Sequence, residues 1–161
     1  MKKYDKALMD TAHVWSAQSY CKRKKVGAVL SKEGRILAIG YNGTLSGTPN
    51  ECEELIKKCN KCGSTIDIEN HDICHKDSDY ITENVTSNKT LHAEENLIAF
   101  CSKHGIPTNN TTIFITLSPC IRCARLIAQA GIKRVVYDNE YKDTSGIELL
   151  KEVGITVEKY N

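Results

Sequence analysis

The chain has 161 residues, 40% of them hydrophobic and 26% charged, with a formal charge of +2. That is enough for one soluble domain with its own core. So small a charge argues against a protein that coats nucleic acid and leaves room for a local basic site. No apolar run reaches the ~20 residues of a membrane-spanning helix.

The opening MKKYDKALMDTAHVWSAQSY has lysines but no apolar h-region. Ala7, Leu8, Ala12, Val14 and Trp15 recur at helical spacing, so a helix from about Tyr4 to Tyr20 is expected rather than a signal peptide. A reducing cytoplasm is the expected compartment. There, clustered cysteines serve as metal ligands or reactive groups more often than as disulfides.

CKRKK at 21–25 is basic, and VGAVLSKEGRILAIGYN then reads as a hairpin. Val26, Ala28 and Leu30 alternate, Glu33-Gly34 turn the chain, and Arg35 to Ile39 return. GTLSGTPN has the composition of a loop. Residues 51–89 hold four cysteines and two histidines with little periodic apolar signal. They are expected to form an irregular insertion, too long to be a bare loop unless something ties it down.

Regularity returns at Leu91. LHAEENLIAFCSKHG is an amphipathic helix that stops at Gly105, with Pro107 beyond. TTIFITL is a strand. SPCIRCARLIAQAG is a helix with Ser118 as N-cap, Pro119 at its first position and Gly131 past its end. KRVVY is a strand, IELLKEVG a helix and ITVEKY a last strand. This alternation predicts an α/β fold whose later strands are parallel. No repeat or linker divides the chain, so 1–161 is expected to be a single domain.

Cys120 and Cys123 stand at i and i+3 on one helix face, so both sulfurs can meet one ion. A helix N-terminus favours the thiolate that binds zinc. A CxxC alone also suits a redox pair. His92, at the start of another helix, supplies the third ligand that favours zinc. Three protein ligands leave a fourth position for water, the pattern of catalytic rather than structural zinc. Zinc brings the pKa of that water towards ~7. Glu94, two residues after His92, is placed to exchange protons with it.

His92-Ala93-Glu94 with Pro119-Cys120-Ile121-Arg122-Cys123 is the H-x-E…P-C-x-x-C mark of zinc-dependent nucleobase deaminases. The wider sequence resembles the deoxycytidylate (dCMP) deaminases through VGAVL, GRILAIGYNG, LHAEENLI and FITLSPCIRCARLIAQAGIKRVVY. The resemblance implies a cytidine-deaminase-like α/β fold, a five-stranded mixed sheet flanked by helices. It also implies hydrolysis of dCMP to dUMP and ammonia, which supplies thymidylate synthesis. Glu94 would move protons between water, N3 of the base and the leaving amine. Backbone groups around Ala93 and Ser118 would read the base edge. Asn42 would bond the sugar or base, unless it serves only as a turn residue before Gly43. Tyr137 or Tyr141 would cover the nucleotide, although Tyr137 also suits the core.

A 5′-phosphate needs cations, and the basic stretch offers Arg23 first, for its planar fork, and Lys25. A solvated basic turn is the plainer reading for at least two of residues 22–25. Within the insertion, Cys59, Cys62, His71 and Cys74 form a structural-zinc pattern, with His75 beside it. Relatives with a second zinc suggest a rival ligand set that draws on Cys21 and Cys52. Cys101 reads as a packed small hydrophobe. The resemblance further implies a homo-oligomer, a hexamer or a dimer, with dCTP and Mg2+ as activators and dTTP as inhibitor. Two other readings stand beside it. One is a deaminase for tRNA adenosine, dCTP or a free nucleoside. The other, of a different class, is an inactive zinc-stabilised binding module.

Overall fold

The computed structural model describes residues 2–60, 65 and 80–161. Helix α1 (Asp5–Ser16) is followed by strands β1 (Gly27–Lys32) and β2 (Arg35–Tyr41). The short β3 (Gly43–Thr44), then β4 (Glu53–Cys59), β5 (Tyr80–Thr86) and the short β6 (Thr90–Leu91) come next. The rest alternates: α2 (Ala93–His104), β7 (Thr112–Leu117), α3 (Ile121–Gln129), β8 (Arg134–Asn139), α4 (Ser145–Glu152) and β9 (Thr156–Lys159).

The main sheet has the order β2-β1-β7-β8-β9. β1 is antiparallel to both β2 and β7, and β7, β8 and β9 run parallel. The parallel half is what the strand–helix alternation predicts, since a parallel pair needs a crossover and a helix supplies it. Helix α2 packs on one face with Ala28, Leu97, Ile113, Ile115, Ala124, Ile127 and Leu150 in one buried cluster. Helix α1 covers the other face, where Leu8, Met9 and Ala12 meet Val29, Phe114 and Val136.

Asp5 anchors α1 to this face. Its carboxylate accepts two hydrogen bonds from Arg134 on β8, at 3.0 and 2.7 Å. Arg134 also grips Glu158 on β9. The guanidinium holds both carboxyls below their ordinary pKa.

Three local expectations are corrected. Helix α1 ends at Ser16, and Ala17–Ser19 leave through turn hydrogen bonds. Cys120, not Ser118, is the N-cap of α3, which begins at Ile121 rather than at Pro119. Ser118 instead accepts a hydrogen bond from the Tyr141 N–H at 2.8 Å, so its hydroxyl braces a neighbouring loop. The flanks of the insertion are not irregular: β4 and β5 pair through seven residues, from Glu53↔Thr86 to Cys59↔Tyr80. Polar and apolar residues do not alternate in EELIKKC or YITENVT, so the sequence shows no strand period, because neither face of the ribbon is a continuous core.

Candidate active site

Two helix starts build the site. His92 precedes α2 as its N-cap, and Cys120 and Cys123 open α3. Both starts are held close by glycines. A Cβ on Gly40 of β2 would lie 2.5 Å from the Ala93 carbonyl oxygen, so α2 rests directly on the strand. A Cβ on Gly146 of α4 would lie 2.1 Å from the Pro119 carbonyl oxygen, so the segment carrying Cys120 sits against α4. Any larger residue at either place would push a ligand-bearing backbone aside.

The donor atoms converge. His92 Nδ1 lies 3.3 Å from Cys123 Sγ and 3.6 Å from Cys120 Sγ. All three donor atoms fall within 4.8 Å of one another. The hydrogen bond from Cys123, more than the His92 contact, holds Cys120 as thiolate, with a pKa brought down to about 3. Cys123 keeps its proton, its pKa driven up by that same bond and by burial. His92 is raised, chiefly by its contact with Cys120. One imidazole and two sulfurs at this spacing fit a tetrahedral zinc with one position left over.

Glu94 is 3% exposed and lies one residue inside α2. Burial pushes its pKa up to about 7, so its carboxyl lies between its two protonation states near neutral pH. His92, Glu94 and Cys120 line a cavity of about 490 Å3. Ala93, Ser118 and Leu117 line it as well. The rim carries Arg23, Lys24, Asn42, Glu53, Thr86 and Tyr141.

The structure brings together most of the residues singled out in the sequence and separates a few. Asn42 lines the cavity, but both ends of its amide are engaged. Its oxygen accepts from the Val26 N–H and its nitrogen donates to the Lys24 carbonyl, both at 2.8 Å. It braces the basic stretch in either case. Arg23 reaches the cavity, with its backbone N–H donating to Glu53 at 3.0 Å. Lys25 is exposed and is not among the lining residues, which corrects its choice as a phosphate ligand. Lys24 lines the cavity instead, its ammonium 5.1 Å from the centre of the Tyr141 ring. Glu53 was not legible in the sequence, because the N–H groups of Lys22 and Arg23 that it accepts from lie 31 and 30 residues away.

Tyr141 lines the cavity, whereas Tyr137 is buried in β8 and its hydroxyl donates to Glu140. Tyr137 thus belongs to the core rather than to the site. Cys101 is buried on α2, as a packed hydrophobe should be. Cys21 and Cys52 come together but are joined by a disulfide, a correction to the expectation that this chain's clustered cysteines are not paired in this way. That bond occupies the Cys21 and Cys52 sulfurs that the rival ligand set would join to members of the insertion. Cys59 is buried at the end of β4. Cys62, His71, Cys74 and His75 lie outside the described residues.

Residues 2–139 match the family model for the cytidine and deoxycytidylate deaminase zinc-binding region. The chain belongs to this family. Over 93% of its length it is 34% identical to the deoxycytidylate deaminase of Enterobacteria phage T4, of which it covers 86%. It is also 34% identical, over 97% of its length and 70% of the relative's, to the ComE operon protein 2 of Bacillus subtilis. Among solved structures it is similar to the dCMP deaminase of cyanophage S-TIM5 in complex with dCMP and dUMP. That match has a TM-score of 0.77 and 39% identity and covers 99% of each chain. The mixed five-stranded sheet with four helices is the fold of these deaminases, and zinc is the family's metal. Among the described residues, no helix is long and apolar enough to cross a membrane.

Proposed function

We propose that the protein hydrolyses dCMP to dUMP and ammonia. The observation that carries this reading is a buried carboxyl, Glu94, beside three converging zinc ligands in a cavity whose rim bears Arg23 and Lys24. When bound by His92, Cys120 and Cys123, zinc acidifies water so that hydroxide is available near neutral pH. Glu94 accepts the proton that this water gives up and delivers it to N3 of the cytosine. It then takes the remaining proton from the oxygen now on C4 and hands it to the exocyclic nitrogen, which leaves C4 as ammonia. Water thus replaces the amine at C4, and Glu94 ends as it began. Backbone groups at Ala93 and Ser118 orient the base edge, and Tyr141 with Lys24 closes over the nucleotide. Arg23 and Lys24 hold the 5′-phosphate as charge-assisted donors.

The same reading includes a single domain, a cytoplasmic location and a homo-oligomer, hexameric or dimeric. It includes activation by dCTP with Mg2+ and inhibition by dTTP. It also includes a second, structural zinc on Cys59, Cys62, His71 and Cys74. The alternative set with Cys21, Cys52 and His75 requires the disulfide to open. Two zinc ions per chain in the purified protein are expected, and one per chain would remove the structural ion.

The decisive experiment follows the ultraviolet absorbance of dCMP and of deoxycytidine with the zinc-loaded protein, each with and without dCTP and Mg2+. Loss of the cytosine signal from dCMP far faster than from deoxycytidine is expected. Equal rates would remove the phosphate site. Silence on both would turn the assignment to dCTP or to tRNA adenosine. Silence with tight, salt-sensitive nucleic-acid binding would favour an inactive binding module.

A further inference from the structure

The two helix starts that carry the ligands have no covalent reason to stay in register. Helix α2 begins before β7 and α3 begins after it. One carboxylate spans the gap. Glu95 accepts the backbone N–H of His92 at 2.8 Å. The same carboxylate receives Arg122 as a fork, Nε at 2.8 Å and the terminal nitrogen at 3.1 Å. Arg122 stands between Cys120 and Cys123. The backbone of one ligand and the residue between the other two are therefore held by a single side chain.

We propose that Glu95 and Arg122 act as a positioning clamp that fixes the distance between the imidazole and the two sulfurs, and so sets how slowly the site releases zinc. The proposal rests on the zinc reading of His92, Cys120 and Cys123. Neither clamp residue lines the cavity, so neither acts by touching substrate. The Arg122 side chain is 63% exposed and that of Glu95 16%. Exposed ion pairs add little to overall stability unless the geometry is bidentate, and this one is. Its value is directional: residues that hold metal ligands in place govern metal retention out of proportion to their own energy. Motif patterns treat the position of Arg122 as free, and here it is not.

The test compares zinc-loaded wild type with Arg122→Ala, Arg122→Lys, Glu95→Gln and the double variant Glu95→Gln/Arg122→Ala. Zinc transfer to an excess of chromogenic chelator gives the release rate, and His92→Ala identifies the phase that belongs to this site. Cobalt(II) in place of zinc gives visible bands that report ligand geometry. Arg122→Ala is expected to release zinc about tenfold faster. Its cobalt bands should shift while its thermal midpoint stays within about 2 °C of wild type. Arg122→Lys should fall in between, because a single ammonium replaces the fork. Glu95→Gln keeps an acceptor for the His92 N–H but loses the charge. It should match Arg122→Ala, and the double variant should be no worse than either, as for one coupled unit.

Unchanged release and unchanged cobalt bands in Arg122→Ala would overturn the clamp, as would additive single effects. Faster release that only tracks a fall in thermal midpoint would also overturn it. A wild type that retains no zinc with His92 intact would instead sink the zinc reading itself.

Discussion

β7 buries four of its six residues, whereas β5 buries none and exposes six of its seven. β7 sits in the middle of a five-stranded sheet with helices on both faces, and β4 and β5 form a separate two-stranded ribbon. Yet both reach the same cavity. The sheet and its helix starts give His92, Glu94, Cys120 and Ser118, while the ribbon's base gives Cys52, Glu53, Thr86 and, beyond it, Thr90. The bond-breaking groups stand where backbone is held on every side. The ribbon's share of the cavity wall stands on a segment that packing constrains far less. Chemistry and recognition can therefore be perturbed separately.

The sharpest way to test that division is Glu94→Gln. Turnover of dCMP should fall by about 10³-fold, within the usual range for losing a general acid–base. Zinc content and thermal midpoint should stay near wild type. Equal loss of zinc would merge chemistry with metal retention and blur the division.

Next in size is the anchor of α1 to the sheet. Asp5→Ala leaves a buried Arg134 half-paired and should cost about 3 kcal/mol in denaturant unfolding. The pH dependence carries a definite sign. Asp5 and Glu158 are ionised more readily folded than unfolded, so their contribution is fully present above the ordinary carboxylate range, 3.8 and 4.5. It is lost as pH falls through their depressed folded values. The stability contributed by this pair of carboxyls, read as the difference between wild type and Arg134→Met, should be level above about pH 5 and decline below it. Arg134→Met should be less stable at neutral pH and should lose much of that acid slope.

On the recognition side, Arg23→Ala should raise KM for dCMP about tenfold, the equivalent of one charge-assisted hydrogen bond, with kcat little changed. Deoxycytidine should not notice the change. A fall in kcat instead would show that the basic stretch feeds back on the reacting groups. The smallest effect is expected at Leu55→Ser on β4. Leu55 is 75% exposed, so stability should move by no more than about 0.5 kcal/mol and kcat should hold.

Much of the sheet region could be read from sequence. Its strands are apolar runs, its helices carry their own stop signals, and both halves of the metal site announce themselves by fixed spacing. The ribbon could not be read this way. Leu55 and Ile81 lie among charged and polar neighbours, and its register is set by cross-strand pairing rather than by a buried face. The boundary errors have a similar origin. Ser118 looks like a helix cap by type, but a loop N–H claimed its oxygen first. Arg23 and Lys24 line the cavity and Lys25 does not, and residue type alone does not distinguish the two lysines. Glu53, the Cys21–Cys52 pairing and the Glu95–Arg122 contact join residues about 30 apart, and local pattern carries no trace of such partners.

The pairing of β4 with β5 has a consequence for the wall of the cavity. Glu53 and Thr86 face each other as the first of seven cross-strand pairs, and both line the cavity. A slip of one residue in this ribbon would turn both side chains to its other face. It would also withdraw the carboxylate that accepts the N–H groups of Lys22 and Arg23. The register of a ribbon outside the main sheet is thus written into the shape of the opening above His92 and Glu94.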